Sequence, residues 1–224
     1  LQGAPIIGLA TEWKSTIKGN GVFVRAVGPI QSPKDLESRL IATHQGLHAI
    51  HQYLLRRVYQ VDDKKLRWES YPQEKLLEVL QSGKADAVVL LDHFFFRGEV
   101  AKGVRCLYTD GEAWKKLHGF DEMIKHMVAA REDLLREHPG IKETLLRAFP
   151  ASFAYSEAHL EEVADVFITR YGGDREALLA SPRYPRIEVT FTEKEQRLAE
   201  AEMDLLFEVG QIPNKMPIAG LFAA

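Results

Sequence analysis

Four consecutive residues, Thr43 to Gly46, have the chemistry needed to bind an oxyanion. They follow the apolar run SRLIAT and directly precede a helical pattern, and free N–H groups at a helix start favour anions. His44 and Gln45 can donate hydrogen bonds, and Gly46 lets the backbone approach a ligand closely. We therefore predict ligand contacts at this turn. The alternative is a routine helix N-cap with two polar surface side chains.

A second polar pair, Asp92 and His93, ends the most apolar run of the chain, ADAVVLL. Three phenylalanines follow at 94–96, and three consecutive rings cannot all face one core. At least one ring is therefore expected to line a cleft or an interlobe surface, with plain core packing as the alternative. The polar pair is predicted to contact ligand, although such a pair is also common in ordinary loops.

Three further residues complete the candidate binding set: Trp13, His48 and Glu69. Trp13 follows the first apolar run, and a tryptophan suits partial burial over a small organic ligand, although packing between helices would also explain it. Glu69 ends the run KLRWES at the same predicted sheet edge. His48 lies about one helical turn beyond His44.

The spacing of His44, His48 and His51 also raises the question of a metal site. It places three imidazoles on one helical face, and imidazole is a ligand for zinc or iron. Three ligands from consecutive turns of one helix rarely converge on one ion, so Asp92 or His93 would have to complete the site. The sequence carries none of the common hydrolase or metalloprotease motifs. We predict no metal, no cofactor and no catalytic residues.

Composition excludes two classes of partner. The 224 residues include 29 Lys and Arg against 32 Asp and Glu, a formal net charge of −3. Such a balance offers no basic surface for a nucleic-acid backbone or an anionic membrane. No run approaches the roughly 20 apolar residues of a transmembrane helix. The sequence therefore predicts neither a nucleic-acid partner nor direct membrane insertion.

The elements that must position these residues alternate in the first half of the chain. Apolar runs predict strands, and helices with apolar spacing of three or four separate several of them, a pattern typical of βαβ units on a mostly parallel sheet. After about residue 120 one more strand is expected, followed mainly by helices. The predicted strands are 5–10, 21–27, 38–43, 65–70, 85–91, 103–108 and 122–130.

The order of four motifs resembles that of type 2 periplasmic substrate-binding proteins. The motifs are Asp35-Leu36, the polar turn 43–46, the Gly83–Ala87 segment before a strand, and the helix from His138-Pro139 through Ala148. The nearest group binds aliphatic sulfonates, taurine, nitrate and thiamine pyrimidine precursors.

This resemblance implies an α/β fold of two lobes, with mostly parallel sheets and a helical C-terminal layer. Residues 1–31 and 119–224 would form the first lobe, and residues 32–118 the second. Such proteins open with a βαβα segment, whereas this numbering opens on Leu1. We expect the opening strands of the first lobe to be missing from it, or rebuilt in a shortened relative.

The function implied by the resemblance is capture of a small anionic or aromatic organic ligand. Ligand would bind in an interlobe cleft that closes about hinges near 27–33 and 93–103, with Trp13 at the cleft mouth. The protein would be the substrate-binding component of an ABC-type importer with a membrane permease as partner, and periplasmic or extracellular.

Two other functions share the same pattern. Dihydroxyphthalate decarboxylase and enzymes of menaquinone and thiamine pathways resemble it, which implies a cytoplasmic decarboxylase or other lyase. His44, His48, Asp92 and His93 would then be the acid, base or metal candidates. The third possibility is the effector-sensing domain of a regulator, which usually follows a DNA-binding helix-turn-helix. Fold alone does not decide among them.

Overall fold

The computed structural model describes residues 5–44, 48–180 and 186–222. Its strands are β1 (Ile6–Ser15), β2 (Asn20–Arg25), β3 (Leu40–Thr43), β4 (Arg67–Ser70), β5 (Ala87–Leu91), β6 (Val104–Thr109), β7 (Met123–Arg131) and β8 (Arg186–Thr190). Its helices are α1 (His48–Tyr59), α2 (Leu76–Gln81), α3 (Asp92–Val100), α4 (Asp110–His118), α5 (Glu132–Glu137), α6 (Ile141–Ala158), α7 (Leu160–Tyr171), α8 (Arg175–Ala180) and α9 (Glu193–Glu208). Among them, no helix is long and apolar enough to cross a membrane.

The chain divides into two compact units. Unit 1 comprises Leu1–Ser15, Met123–Gly172 and Pro185–Ala224, and unit 2 comprises Thr16–Glu122 and Gly173–Tyr184.

These bounds differ from the predicted lobes 1–31 with 119–224 and 32–118. The strand β2 is hydrogen-bonded to β5 and β6, so the residues after Ser15 belong to unit 2. The helix α8 packs against α3 and also lies in unit 2. The segments predicted as hinges, 27–33 and 93–103, both lie inside unit 2, and most of the second is α3.

Unit 2 contains a five-stranded sheet in the order β4-β3-β5-β2-β6. The strand β3 runs parallel to β4 and β5, as predicted for the βαβ units, while β2 runs antiparallel to β5 and β6. The expectation of mostly parallel sheets is thus met only in this half of the sheet. Apolar periodicity reveals which residues are buried but not the direction in which a strand runs, which explains the difference.

The two faces of this sheet carry different helices. Phe23 of β2 makes an edge-on contact with Phe95 of α3, and these rings share one core cluster with residues of α2 and α8. On the opposite face, His51 of α1 contacts Tyr108 of β6, and α1 packs against α4. Of the three phenylalanines at 94–96, two are buried in the first cluster and one is partly buried against it, so core packing is their main role.

Unit 1 contains a three-stranded sheet in the order β7-β1-β8, antiparallel throughout. Its buried cluster consists of Leu9, Val128 and Ala130, with side chains of α6 packed against them. The predicted strand 122–130 is confirmed as β7, one residue later at each end. The strand β8 was not predicted.

A buried ion pair ties the middle strand of unit 1 to α9. The Lys14 side chain is fully buried, and its Nζ donates to Glu195 Oε1 at 2.7 Å, with Thr190 Oγ1 at 3.3 Å and Glu188 Oε2 at 3.4 Å. Glu195 also closes a capping box with Thr192 at the start of α9. Burial alone would raise the pKa of Glu195, but its bonds to Lys14 and Thr192 lower it to about 2.

Replacing Lys14 by Met is expected to lower the free energy of unfolding by about 3 kcal/mol, because Glu195 would remain buried without its cation. In the wild type, the stabilisation from Glu195 is present above its unfolded pKa of about 4.5 and is lost as the pH falls toward 2. Urea unfolding followed by circular dichroism at neutral and acid pH measures both effects. In Glu195→Gln, the free energy of unfolding should depend less on pH in the acid range.

The matched control is Lys215→Met. Lys215 Nζ lies 2.6 Å from Asp204 Oδ1, but both side chains are half exposed. Exposed pairs contribute less than about 1 kcal/mol. Equal losses in the Lys14 and Lys215 variants would contradict the stabilising role of the buried pair.

Candidate functional site

The carboxyl ends of β3, β4 and β5 meet at one edge of the sheet in unit 2 because these strands are parallel. Thr43 pairs with Ser70, and the Tyr71 N–H donates to the Thr43 carbonyl at 2.9 Å. The antiparallel strands bring the start of β2 and the end of β6 to the same edge. We call this set the polar edge; its residues are Asn20, Thr43, His44, His48, Glu69, Ser70, Tyr71, Asp92, His93 and Asp110.

Helices on opposite faces of the sheet begin at the polar edge. The described part of α1 starts at His48 after β3, and α3 starts at Asp92 after β5. The neighbouring strands β3 and β5 thus lead into helices on different faces of the sheet, a topology that in open α/β sheets leaves a crevice at the strand ends. In open α/β sheets, ligands bind at such switch points, outside the carboxyl ends of the strands.

The turn after β3 retains the predicted polar character in the part that can be described. Thr43 is buried, and its Oγ1 donates to the His44 carbonyl at 3.2 Å. His44 is exposed, with Nδ1 3.5 Å from the Tyr71 carbonyl. The predicted contacts Gln45 and Gly46 lie outside the described residues.

His48 and Glu69 lie beside this turn. The His48 ring is 6.1 Å from the Trp68 ring, centroid to centroid. Glu69 is exposed and accepts a hydrogen bond from the Tyr71 hydroxyl, which raises the pKa of Tyr71. Histidine, tryptophan and tyrosine rings therefore lie on the β4 side of the crevice.

Asp92 and His93 form the first turn of α3 and are not in a loop. Asp92 is exposed and has φ 50°, in the left-handed region, while its backbone N–H donates to the Gly19 carbonyl at 2.8 Å. The His93 ring lies 4.0 Å from that of Phe94, and partial burial lowers the pKa of His93. A lowered pKa favours the neutral imidazole, which can accept a proton.

Trp13 lies on β1 in unit 1, where its ring is 5.4 Å from that of His126. The remaining predicted residues that can be described, Thr43, His44, His48, Glu69, Asp92 and His93, lie together at the polar edge. Among the described candidates, Trp13 is therefore the one that does not lie in unit 2.

The histidine spacing does not produce a metal site in the structure. His51 is buried, with Nδ1 3.1 Å from the Tyr108 hydroxyl, whereas His44 lies near Tyr71 and His48 near Trp68. Within the ranges described, no three His, Cys, Asp or Glu side chains are grouped to hold a metal ion.

Sequence reasoning missed Asp110 and its partners. Asp110 is fully buried; its Oδ2 accepts from Asn20 Nδ2 at 3.1 Å, and its Oδ1 accepts from the Gly111 N–H at 2.8 Å. A Cβ at Gly111 would overlap the Thr16 carbonyl. The sequence does carry a signal for Asp110. The polar residues 109–110 directly follow an apolar strand and precede a helical pattern, as residues 43–44 do.

A second missed residue is Gln73, just after β4. Its side chain is buried, and both amide atoms lack a hydrogen-bond partner among the described residues. Buried amides are nearly always hydrogen-bonded, so the Gln73 side chain is a further candidate for contact with a ligand. Sequence offered no signal, because a glutamine in a polar turn is ordinarily exposed.

No protein-family model matches this sequence, and no curated protein matches it by sequence. Solved structures do resemble its fold. The periplasmic aliphatic sulphonate binding protein SsuA from Escherichia coli is 18% identical with a TM-score of 0.76, over 100% of this chain and 70% of that one.

Two further structures are similar. The alkanesulfonate-binding protein SsuA from Xanthomonas axonopodis pv. citri, bound to MOPS, is 14% identical with a TM-score of 0.73, over 99% of this chain and 75% of that one. The desulfurization enzyme DSZB is 14% identical with a TM-score of 0.69, over 98% and 77%. The predicted type 2 periplasmic-binding-protein fold is confirmed.

Replacing Gly111 by Ala is expected to lower the free energy of unfolding by about 2 kcal/mol, because the backbone at the start of α4 must move away from Thr16. Gly28→Ala is the control, since a Cβ at Gly28 meets open space. Chemical denaturation compares the two variants. If Gly111→Ala were as stable as Gly28→Ala, the close approach at the polar edge would not constrain this helix.

Proposed function

We propose that this protein binds a small organic anion, with a sulfonate as the leading candidate, at the polar edge of unit 2. The proposal depends on one observation: neighbouring parallel strands lead into helices on opposite faces of the sheet, with polar residues at the ends of both strands. In its biological role the protein would deliver this ligand to an ABC-type importer.

Charge distinguishes the three helix starts at this edge. The first turns of α3 and α4 begin with Asp92 and Asp110, whose carboxylates already face the positive ends of those helices. The first described turn of α1 contains no acidic residue and includes His48, and His44 precedes it closely in the sequence. We therefore assign the anionic group of the ligand to the start of α1.

The body of the ligand would lie toward the aromatic side of the crevice. His48 and Trp68 are neighbours, and Tyr71 follows the same strand. Rings of this kind suit a small organic molecule with apolar surface. The amide of Gln73, which has no hydrogen-bond partner among the described residues, offers both a donor and an acceptor close to the end of β4.

The structural neighbours support the same ligand class. One is named as an aliphatic sulphonate binding protein and another was solved with MOPS, itself a sulfonate. By analogy, we propose a periplasmic location and a membrane permease as partner.

A decarboxylase or other lyase on the same fold is the second candidate, and one observation favours it. The pKa of the partly buried His93 is lowered, so at neutral pH this imidazole could accept a proton beside Asp92. The neighbour DSZB is an enzyme. This candidate predicts chemical turnover of a bound ligand, whereas a binding protein returns the ligand unchanged.

Binding should be tested by calorimetry with ethanesulfonate, taurine, MOPS, nitrate and benzoate. We expect a sulfonate to bind, and His44→Ala and His48→Ala each to weaken binding about tenfold, which corresponds to the roughly 1.4 kcal/mol of a lost charged hydrogen bond. His138→Ala, an exposed histidine of unit 1, is the matched control.

Two results would overturn the proposal. The first is an absence of binding by every compound; the second is an unchanged affinity in both the His44 and His48 variants. Product analysis of the best ligand after long incubation separates the binder from the lyase, because only the lyase consumes the ligand. If the protein is a lyase, the Asp92→Asn and His93→Gln variants should still bind the ligand but should no longer consume it.

A further inference from the structure

Unit 1 contains a cavity that is separate from the polar edge. It has a volume of about 280 Å³ and lies between the strands β1 and β7, the helix α9 and residues 218–222. The C-terminal segment is fixed over the sheet, since the Gly8 N–H donates to the Leu221 carbonyl at 2.7 Å. The absence of a side chain at Gly8 allows the Phe222 ring to approach the strand closely.

The wall of this cavity is apolar except at Glu202 and Lys125. Glu202 Oε1 accepts the Ile124 N–H at 2.5 Å. Burial raises the pKa of Glu202 to about 8, with Lys125 opposing the shift only in part. At neutral pH the carboxyl is therefore protonated, and because Oε1 acts as an acceptor, Oε2 carries the proton available for donation.

Large apolar side chains around this cavity remain exposed. Ile6 is 45% exposed, Met127 51% and Leu206 39%, and all three belong to its wall. Apolar surface that continues into a cavity is typical of a binding site. The volume lies just below the roughly 300 to 1,000 Å³ of pockets for drug-sized ligands, which suits a short chain more than a folded segment.

We propose that this cavity binds a small amphipathic carboxylic acid, with its chain against Met127, Met203 and Phe222 and its carboxylate accepting a hydrogen bond from Glu202. A bond from a protonated carboxyl to a carboxylate is charge-assisted and strong. The neighbouring Lys125 favours an anion. An amine would require ionised Glu202 and would face the like charge of Lys125.

Octanoate is the test ligand, with octylamine and octanol as head-group controls, and calorimetry on the full chain as the measurement. Octanoate should bind and octylamine should not. Binding should weaken about 30-fold between about pH 7 and about pH 9.5, the fall in the protonated fraction of a group with a pKa of about 8.

The proposal requires that the pH dependence of octanoate binding come from Glu202. Lys125 is the ionisable residue that faces it from β7, while β1 and residues 218–222 present only apolar residues and glycine to the cavity. Glu202→Gln keeps a donor but cannot titrate, so its octanoate affinity should not change across this range. Glu200→Gln, exposed on the same helix, should behave as the wild type.

Ala199→Phe should fill the cavity and abolish octanoate binding, while the response to the sulfonate of the polar edge confirms that the variant is folded. The proposal is wrong if octanoate does not bind, or if it binds equally well to Ala199→Phe. It is also wrong if the pH dependence persists in Glu202→Gln. Sedimentation without ligand tests one more alternative. If the wild type is a dimer and Ala199→Phe is a monomer, a second copy of the chain covers this surface and the proposal is wrong.

Discussion

The parallel pairing of β3 with both β4 and β5 is the constraint on which the candidate site depends. It aligns Thr43 with Ser70 and brings the ends of three strands to one edge. A slip of one residue would turn Ile41 and Thr43 toward the opposite face. The buried strand β5 opposes such a slip, because Val88 and Leu90 pack on the face that carries α3. The apolar core of unit 2 thus fixes the positions of polar side chains that contribute little to that core.

Sequence periodicity located most of the strands because each combines an apolar run with turn residues at its ends. The run ADAVVLL became β5, and the alternation around Met123 became β7. Strand direction was not predictable, since a buried strand has the same pattern in either direction. The helix α3 was missed because Asp92 and three phenylalanines do not read as a helix start, whereas in the structure these rings pack into the core of unit 2, including Phe95 against Phe23. The unit bounds differ from the predicted lobes because β2 pairs with strands that are distant in sequence.

The candidate site was predictable where polar residues directly follow an apolar strand. Thr43, His44, Asp92 and His93 satisfy that rule and lie at one edge, and Asp110 satisfies it equally. Gln73 and Glu202 could not be found in this way, because their significance depends on burial. A glutamine and a glutamate on helical or turn segments look like surface residues until the structure shows that their polar groups are buried. Local sequence reports residue type, whereas desolvation depends on the whole fold.

The backbone of Asp92 shows how sharply the chain turns from β5 into α3. A left-handed φ in a residue other than glycine costs about 1 kcal/mol, although aspartate tolerates it better than most residues. Here it allows β5 to turn at once into α3, and the Gly19 carbonyl holds the turn by accepting the Asp92 N–H. A glycine would relieve the strain but would remove a carboxylate from the crevice. That carboxylate lies in the first turn of α3, where a negative charge is stabilised by the positive end of the helix, so the aspartate supports the start of α3 as well as the candidate site.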